Sequence, residues 1–209
     1  MALHARLWGV DPDRIDDPAG ALGLTDLLDR PVAGYSGGER RRLEIARALV
    51  SGPRVLFLDE PSVGLDPLIR AELLDVIGGL GRREGVSILL TTHYLDEAER
   101  LCDRIAIMHA GRIVAEGTPA ELRARLGDEL LELLVEGDAE AALAVLETKG
   151  VAGDDAFAVG STLTVPLRSP AAQAIATVHE LGLPAVAVAA RPPTLDDVYL
   201  RLTGGRLAA

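Results

Sequence analysis

Short apolar runs alternate with helical patterns along the first half of the chain. The run at residues 55–58 is continuous, which is typical of a strand buried on both faces of a parallel sheet. The runs at 86–90 and 104–108 predict a second buried strand and a third strand. Apolar positions recur at helical spacing over residues 68–80 and 95–102, between these runs. Strands that alternate with helices in this way predict an α/β domain with a parallel sheet.

A different rhythm begins after residue 127. The predicted strands are at 130–135, 156–159, 162–167 and 185–189, and the predicted helices are at 139–149, 170–181 and 195–202. This β-α-β-β-α-β order predicts a small α+β domain. We therefore predict two domains, residues 1–127 and residues 128–209.

Smaller elements complete the first domain. Residues 2–9 have the pattern of the end of a helix, and residues 111–117 have that of a hairpin strand. Thr118 is a good capping residue for a last helix, and Pro119 suits the first turn of that helix.

The composition excludes several classes of function. The chain has 209 residues, of which 48% are hydrophobic, so it can build a packed core. Its net charge of −11 disfavours non-specific binding to nucleic acid or to anionic lipid. No apolar run approaches the roughly 20 residues that cross a bilayer, so we expect any membrane link to run through a protein partner. The single cysteine, Cys102, cannot form an internal disulfide, which fits a cytosolic setting.

Two carboxylates, Asp59 and Glu60, directly follow the strand predicted at 55–58. Open α/β sheets bind ligands at the carboxyl ends of their strands. An Asp there can hold Mg²⁺, and the Glu beside it can polarise an attacking water. The other interpretation is a solvated strand end, but an apolar run that ends in Asp-Glu favours the functional one.

Ser36, Gly37 and Gly38 stand just before a predicted helix and have the composition of a phosphate cradle. Glycines let backbone N–H groups approach an anion, and a helix N-terminus favours negative charge. The arginines at 40–42 would deepen the positive field. A capping box between Ser36 and Glu39 explains the same residues without any ligand, and taken alone the motif favours this second interpretation.

Two further polar residues are ordinary when each is taken alone. His93 follows the strand predicted at 86–90, and a lone histidine there is usually structural. Asp66 lies in the stretch 62–67, which is typical of a plain turn.

The order of these motifs along residues 1–125 resembles the ATP-binding-cassette (ABC) family. The matching segments are 35–39 for the Leu-Ser-Gly-Gly-Gln signature, 55–60 for Walker B, 62–66 for the D-loop and His93 for the switch histidine. Tyr35 replaces the signature leucine and Glu39 replaces its glutamine, although Glu39 can cap the helix and face away from an anion. The resemblance implies a P-loop NTPase domain with a parallel sheet and a helical subdomain.

The resemblance also implies roles for individual residues. The implied site residues are Asp59 for Mg²⁺, Glu60 as general base, His93 at the γ-phosphate, the signature residues Tyr35, Ser36, Gly37, Gly38 and Glu39 at the ATP of a second subunit, and Asp66 as a link between the two sites. ATP and Mg²⁺ are the implied cofactors. The implied partners are a second ATPase subunit and a separate transmembrane permease at the inner face of the cell membrane, with no nucleic acid.

Two motifs of the family are not found in this sequence. A P-loop needs Gly-x-x-x-x-Gly-Lys-Ser/Thr, but the only lysine is Lys149, and the only glutamine, Gln173, is too far downstream to be a glutamine loop. We therefore expect that the chain begins after these motifs, and that by itself it binds ATP weakly or not at all. The family's sheet places the P-loop strand between the strands at 86–90 and 104–108, so we expect these two strands not to be ordinary neighbours.

Residues 193–200 and the small C-terminal domain are similar to those of exporter ATPases of the daunorubicin-resistance type. This similarity implies export of a drug or lipid-like substrate. The alternative is an extension that only dimerises or stabilises the protein.

Three functions remain open from the sequence. The first is an ATPase subunit that drives export, which the carboxylates and His93 favour. The second is a non-catalytic module that lends its signature to a partner's ATP, which the missing P-loop favours. The third is an ABC protein acting on ribosomes or DNA, which the acidic charge disfavours.

Overall fold

The structure is a computed structural model that describes residues 1–7, 9–11, 15–83, 85–183 and 185–204. The chain forms two compact units, Met1–Leu101 and Cys102–Ala209. The domain boundary that we predict at residue 127 lies inside the second unit, and it stays a prediction.

Helices and strands alternate in the first unit, as the hydrophobic periodicity predicts. The elements described there are α1 (Ala2–Leu7), α2 (Asp16–Ala21), α3 (Gly37–Leu49), β1 (Val55–Asp59), α4 (Pro67–Arg83), β2 (Ser87–Thr91) and α5 (Leu95–Leu101). Both strands begin and end within one residue of their predicted bounds. The helix predicted over residues 2–9 ends at Leu7, and residue 8 of that range lies outside the described residues.

The two strands of the first unit pair in parallel, and the last pair in their register is Asp59 opposite Thr91. Leu56 and Leu58 point into a core that they share with residues of α3 and α4. On the other face of β1, Val55 is 48% exposed and Phe57 is 72% exposed. The expectation that this strand is buried on both faces is therefore wrong, because the helices of the described unit cover only one face.

The third predicted strand does not join this parallel pair. It forms β3 (Ile105–His109), which pairs antiparallel with β4 (Arg112–Gly117) in a separate two-stranded sheet. The tight turn between them places Ala110 and Gly111 at φ of 48° and 76°. Because β2 and β3 belong to different sheets, the prediction that they are not ordinary neighbours is confirmed.

The remaining elements of the second unit follow the predicted β-α-β-β-α-β order. After α6 (Pro119–Ala124) come β5 (Leu130–Val135), α7 (Ala139–Thr148), β6 (Phe157–Val159), β7 (Thr162–Pro166), α8 (Ala171–Glu180), β8 (Ala185–Arg191) and α9 (Leu195–Thr203). The four strands form an antiparallel sheet in the order β6-β7-β5-β8. Alternate residues of β5, such as Leu131 and Leu133, pack with α7 and α8 in the core of the second unit. Thr118 caps α6 through a capping box with Glu121, as predicted.

Candidate functional site

The carboxyl ends of β1 and β2 bring together the polar residues that follow the two strands. The Thr91 hydroxyl donates a short hydrogen bond to the Asp59 carboxylate. The Glu60 N–H donates to both the carbonyl and the hydroxyl oxygen of Thr91, each at 3.1 Å. These bonds fix the start of the loop after β1 against the end of β2.

Glu60 adopts an unusual backbone conformation. Its φ is +45°, in the left-handed region that L-residues rarely occupy and that costs roughly 1–2 kcal/mol. Such a conformation persists only where the surrounding structure holds it, and it is enriched at functional sites. The hydrogen bonds from Glu60 to Thr91 supply part of that restraint.

The side chains of Glu60 and His93 meet directly. Glu60 Oε2 lies 2.8 Å from His93 Nδ1, and the side chains are 38% and 58% exposed. A carboxylate paired with an imidazole can accept a proton from water and hold it near the site. The structure thus joins the two residues that the sequence nominates as catalytic, with Asp59 adjacent in the chain.

Arg41 makes contacts at this site that the sequence does not predict. Its guanidinium donates to backbone carbonyls at the end of β1 and in the loop that follows it, while its part in the positive field of a phosphate cradle stays a prediction. Nε lies 2.8 Å from the Pro61 oxygen, and Nη2 lies 2.8 Å from that of Glu60 and 3.3 Å from that of Asp59. Nothing in a run of three arginines marks which one reaches these carbonyls, so the sequence carried no signal for this contact.

The signature segment begins α3 with a complete capping box. Ser36 Oγ accepts from the Glu39 N–H at 3.2 Å, and the Ser36 N–H donates to Glu39 Oε2 at 2.7 Å. The bond from the Ser36 N–H is the main reason why the pKa of the Glu39 carboxyl lies below its usual value. The capping-box interpretation is therefore confirmed, while the role of Ser36, Gly37 and Gly38 at a phosphate stays a prediction.

The other predicted residues have local structural partners. Tyr35 is buried, and its hydroxyl donates to the Leu27 carbonyl, so it is a packing residue at its place in the signature. Asp66 caps α4, with Oδ1 accepting from the N–H groups of Leu68 and Ile69 at 3.1 Å each. Its role as a link to a second subunit stays a prediction.

Among the described residues, the site offers one candidate carboxylate for binding a metal ion, that of Asp59. They contain no group of three His, Cys, Asp or Glu side chains arranged to hold an ion. Asp59 presents one carboxylate at the end of β1, beside the Thr91 hydroxyl. Mg²⁺ in nucleotide sites is commonly held by one or two carboxylates together with substrate phosphates and water, so this donor set fits Mg²⁺ bound with a nucleotide.

A protein-family model and several known proteins match this chain. Residues 10–63, which include Ser36, Asp59 and Glu60, match the family model described as ABC transporter. A daunorubicin resistance ATP-binding protein, DrrA3, of Streptomyces coeruleorubidus is 41% identical over 91% of this chain and 61% of its own length. The chain belongs to the ABC transporter ATP-binding family. Nucleotide binding is the property that membership of this family implies.

Other ABC relatives extend over nearly the whole chain. The daunorubicin/doxorubicin resistance ATP-binding protein DrrA of Streptomyces peucetius is 38% identical over 97% of this chain and 62% of its own length. The Nod factor export ATP-binding protein I of Cupriavidus metallidurans is 41% identical over 98% of this chain and 66% of its own length. The chain thus spans about three fifths to two thirds of the length of these ABC relatives.

A solved ABC structure supports the fold. CbiO1 from Clostridium perfringens, described as part of the ABC transporter complex cbiONQ, matches with a TM-score of 0.51 and 35% identity. The match covers 54% of this chain and 45% of that one. The predicted ABC ATPase fold is thereby confirmed. Among the helices that the structure describes, none has the length and apolar character to cross a membrane.

Proposed function

We propose that this chain is the ATP-hydrolysing part of an ABC exporter subunit, in which ATP hydrolysis drives transport across a membrane. The observation that carries the proposal is the 2.8 Å contact between Glu60 Oε2 and His93 Nδ1. It lies beside Asp59 at the carboxyl end of a parallel strand pair, which is where α/β sheets bind their ligands.

The residues divide the work of hydrolysis among them. Glu60 accepts the proton of the attacking water, since its carboxylate is partly exposed and held in place through its own backbone. His93 lies beside that carboxylate, and in its imidazolium form, with a proton on each ring nitrogen, it can donate to Glu60 from Nδ1 and to a phosphate oxygen from Nε2. Asp59 would hold Mg²⁺, which neutralises charge on the phosphates when it is bound.

The signature segment acts on the nucleotide of a second ATPase subunit. The first N–H groups of an α-helix have no partner within the helix, and they favour an anion. Gly37 is exposed at this end of α3, where Ser36 and Glu39 hold the first turn in shape. In this proposal Asp66, at the start of α4, lies close to the same subunit boundary.

Transport requires a separate permease at the inner face of the membrane, because the proposed role of this chain is to bind and hydrolyse ATP. Relatives named for daunorubicin resistance and for Nod factor export support a drug-like or lipid-like cargo. Reconstitution of the gene product with its permease, followed by uptake of daunorubicin into inverted vesicles, tests this cargo class.

Hydrolysis itself is tested with the complete gene product that carries this sequence. Glu60→Gln removes the proton acceptor but keeps the shape of the side chain, so we expect kcat to fall about 100-fold or more with ATP binding retained. The matched control is Glu72→Gln, which changes an exposed glutamate on α4 and should leave the rate unchanged. Wild-type turnover by Glu60→Gln would show that Glu60 is not the base.

A second candidate is a module that donates its signature without hydrolysing ATP of its own. The observation in its favour is that the 209 residues contain no P-loop motif. Mixing the protein with an ABC ATPase subunit that has a P-loop separates the candidates. Hydrolysis in the mixture that is lost in Ser36→Arg but kept in Glu60→Gln supports the second candidate.

A further inference from the structure

The first unit contains a carboxylate that is completely buried and takes no direct part in the site described above. Glu97, in the first turn of α5, is 0% exposed. A buried carboxylate is costly unless hydrogen bonds and an opposite charge compensate for it. Its partners are the Ser62 hydroxyl at 2.5 Å, the Arg70 Nε at 2.5 Å and the Thr92 hydroxyl at 3.0 Å.

Two of these partners belong to the loops that carry Glu60 and His93, one partner in each loop. Ser62, which is 2% exposed, lies in the segment 61–66 that follows Glu60 and ends at Asp66. Thr92 directly precedes His93. One oxygen of Glu97 accepts from Ser62 and the other accepts from Thr92, so a single carboxylate bridges both loops.

Arg70 provides a second connection from Glu97 to His93. Its guanidinium carbon lies 4.0 Å from the centre of the Tyr94 ring, in a cation–π contact. The centre of that ring is 4.1 Å from the centre of the His93 imidazole. The Tyr94 N–H also donates to the Thr92 hydroxyl at 3.0 Å. Both Thr92 and Tyr94 therefore restrain the histidine loop, which we define as residues 92–94.

We propose that Glu97 is a positioning residue that holds the segment 61–66 and the histidine loop in one arrangement, so that a displacement of that segment is transmitted to His93. This inference rests on the proposed function. In an ABC dimer the segment 61–66 would lie near the second subunit, so Glu97 would make the hydrolytic pair responsive to docking. Glu97 acts only through Ser62, Thr92 and Arg70.

A purely structural role for Glu97 has different consequences. In that case the carboxylate only neutralises Arg70 and anchors α5 to α4, and its loss loosens the whole unit evenly. Under the proposal its loss loosens the two loops together and leaves α3 unaffected. Amide hydrogen exchange distinguishes these outcomes without any need for activity, because exchange reports local opening.

The first experiment compares exchange in Glu97→Ala, Ser62→Ala and Thr92→Val in the complete gene product. Ser62→Ala should speed exchange only in the segment 61–66, and Thr92→Val only in the histidine loop. Glu97→Ala should speed exchange in both, about tenfold, with α3 unchanged. Faster exchange in only one loop, or equally across the unit, overturns the proposal.

The second experiment measures kinetics. Glu97→Ala should lower kcat for ATP about tenfold or more and leave KM within about twofold, because small displacements of catalytic groups affect the rate more than binding. Glu97→Gln keeps a carbonyl oxygen and the side-chain shape, so it should restore both kcat and the slow exchange. A KM effect without a kcat effect contradicts the proposal.

Two matched controls remove other charges from the same helices. Asp96→Asn removes a carboxylate whose two oxygens each lie 2.9 Å from Nη2 of the same Arg70. Asp75→Asn removes an ion pair with Arg100 that joins α4 to α5. Both should leave kcat and loop exchange near wild type, and an effect as large as that of Glu97→Ala would refute a special role for Glu97.

The two proposals can fail separately. If the wild-type protein hydrolyses no ATP, the proposed function fails, and the exchange pattern still shows whether Glu97 joins the two loops. If the protein hydrolyses ATP but Glu97→Ala behaves like the controls, only the positioning role is wrong.

Discussion

At the scale of a single residue, α3 approaches α4 so closely at Gly38 that there is no space for a side chain. A Cβ placed on Gly38 would lie 2.2 Å from Cγ2 of Ile69, which is far closer than real contacts allow. A Cβ on the neighbouring Gly37 would lie 3.7 Å from Cδ2 of Leu65, an ordinary van der Waals distance. The two glycines of the signature therefore face different environments.

These environments predict effects of different size on stability for the same substitution. Gly38→Ala should reduce the free energy of unfolding by about 1–3 kcal/mol, because the added methyl group overpacks the α3–α4 contact. Gly37→Ala should change it by less than about 1 kcal/mol, since alanine also favours a helix. Urea denaturation measures both, and adding Ile69→Ala should restore part of the loss. Equal stability of the two single variants would contradict the close approach.

The sequence predicted those site residues whose position follows from strand ends, and it missed those placed by tertiary contacts. Asp59 and Glu60 are predicted because open α/β sheets bind ligands at the carboxyl ends of their strands, whereas His93 is predicted only through the resemblance to the ABC family. Glu97 has the appearance of an ordinary acidic residue in the first turn of a surface helix, and only the contacts of Ser62, Arg70 and Thr92 show that it is buried.

At the scale of elements, the hydrophobic periodicity predicts correctly which segments are strands and which are helices. It does not predict the exposure of β1, because that depends on the elements that pack against each face of the strand. An apolar run indicates a strand but carries no information on the number of helical layers that pack on it. In the described unit α3 and α4 share one core with β1, and the outward side chains of Val55 and Phe57 are exposed.

Adjacent residues of β1 provide the test of this one-sided burial. In the 209-residue chain, Phe57→Ala should lower the free energy of unfolding by less than about 1 kcal/mol, because the Phe57 side chain is 72% exposed. Leu58→Ala should lower it by about 2–5 kcal/mol, because Leu58 is only 7% exposed and a cavity would remain. Thermal and urea unfolding of the two variants compare them directly. A large loss in Phe57→Ala would mean that both faces are covered.

At the scale of the whole molecule, each compact unit has its own core, and in the second unit a buried carboxylate pairs with an arginine whose side chain is 33% exposed. Asp197 is 3% exposed, and its two oxygens accept from the Arg191 guanidinium at 2.7 and 2.8 Å. Burial alone would raise the pKa of the Asp197 carboxyl, but the bonds from Arg191 and from the Thr194 N–H outweigh burial and lower it. Arg191 also contacts Glu132 on β5, so the pair connects α9 to the sheet.

The lowered pKa of Asp197 predicts how the stability of the chain depends on pH. The carboxyl is ionised more readily in the folded state than in the unfolded one, whose pKa is about 3.9. Its contribution is therefore present above that value and is lost as the pH falls through the lower folded pKa. Asp197→Asn should be less stable than wild type at pH 6, and the difference should shrink towards pH 2. Urea denaturation across this range measures it.

The control for this pH dependence is Asp128→Asn, which changes an exposed aspartate of the same unit. It should show the same pH dependence as the wild type. A stability difference between Asp197→Asn and wild type that stays constant with pH would show that Asp197 contributes through packing and not through its charge.

The left-handed backbone conformation of Glu60 costs stability, although the Glu60 side chain is the one proposed to act in hydrolysis. Glycine adopts φ near +45° without steric penalty, whereas glutamate does not. A population of variants selected only for heat resistance would therefore tend to replace Glu60 by glycine, as often happens when stability is optimised at a working site. The variants obtained from such a selection would be more stable, but they would lack the Glu60 carboxylate that is proposed to accept a proton from water.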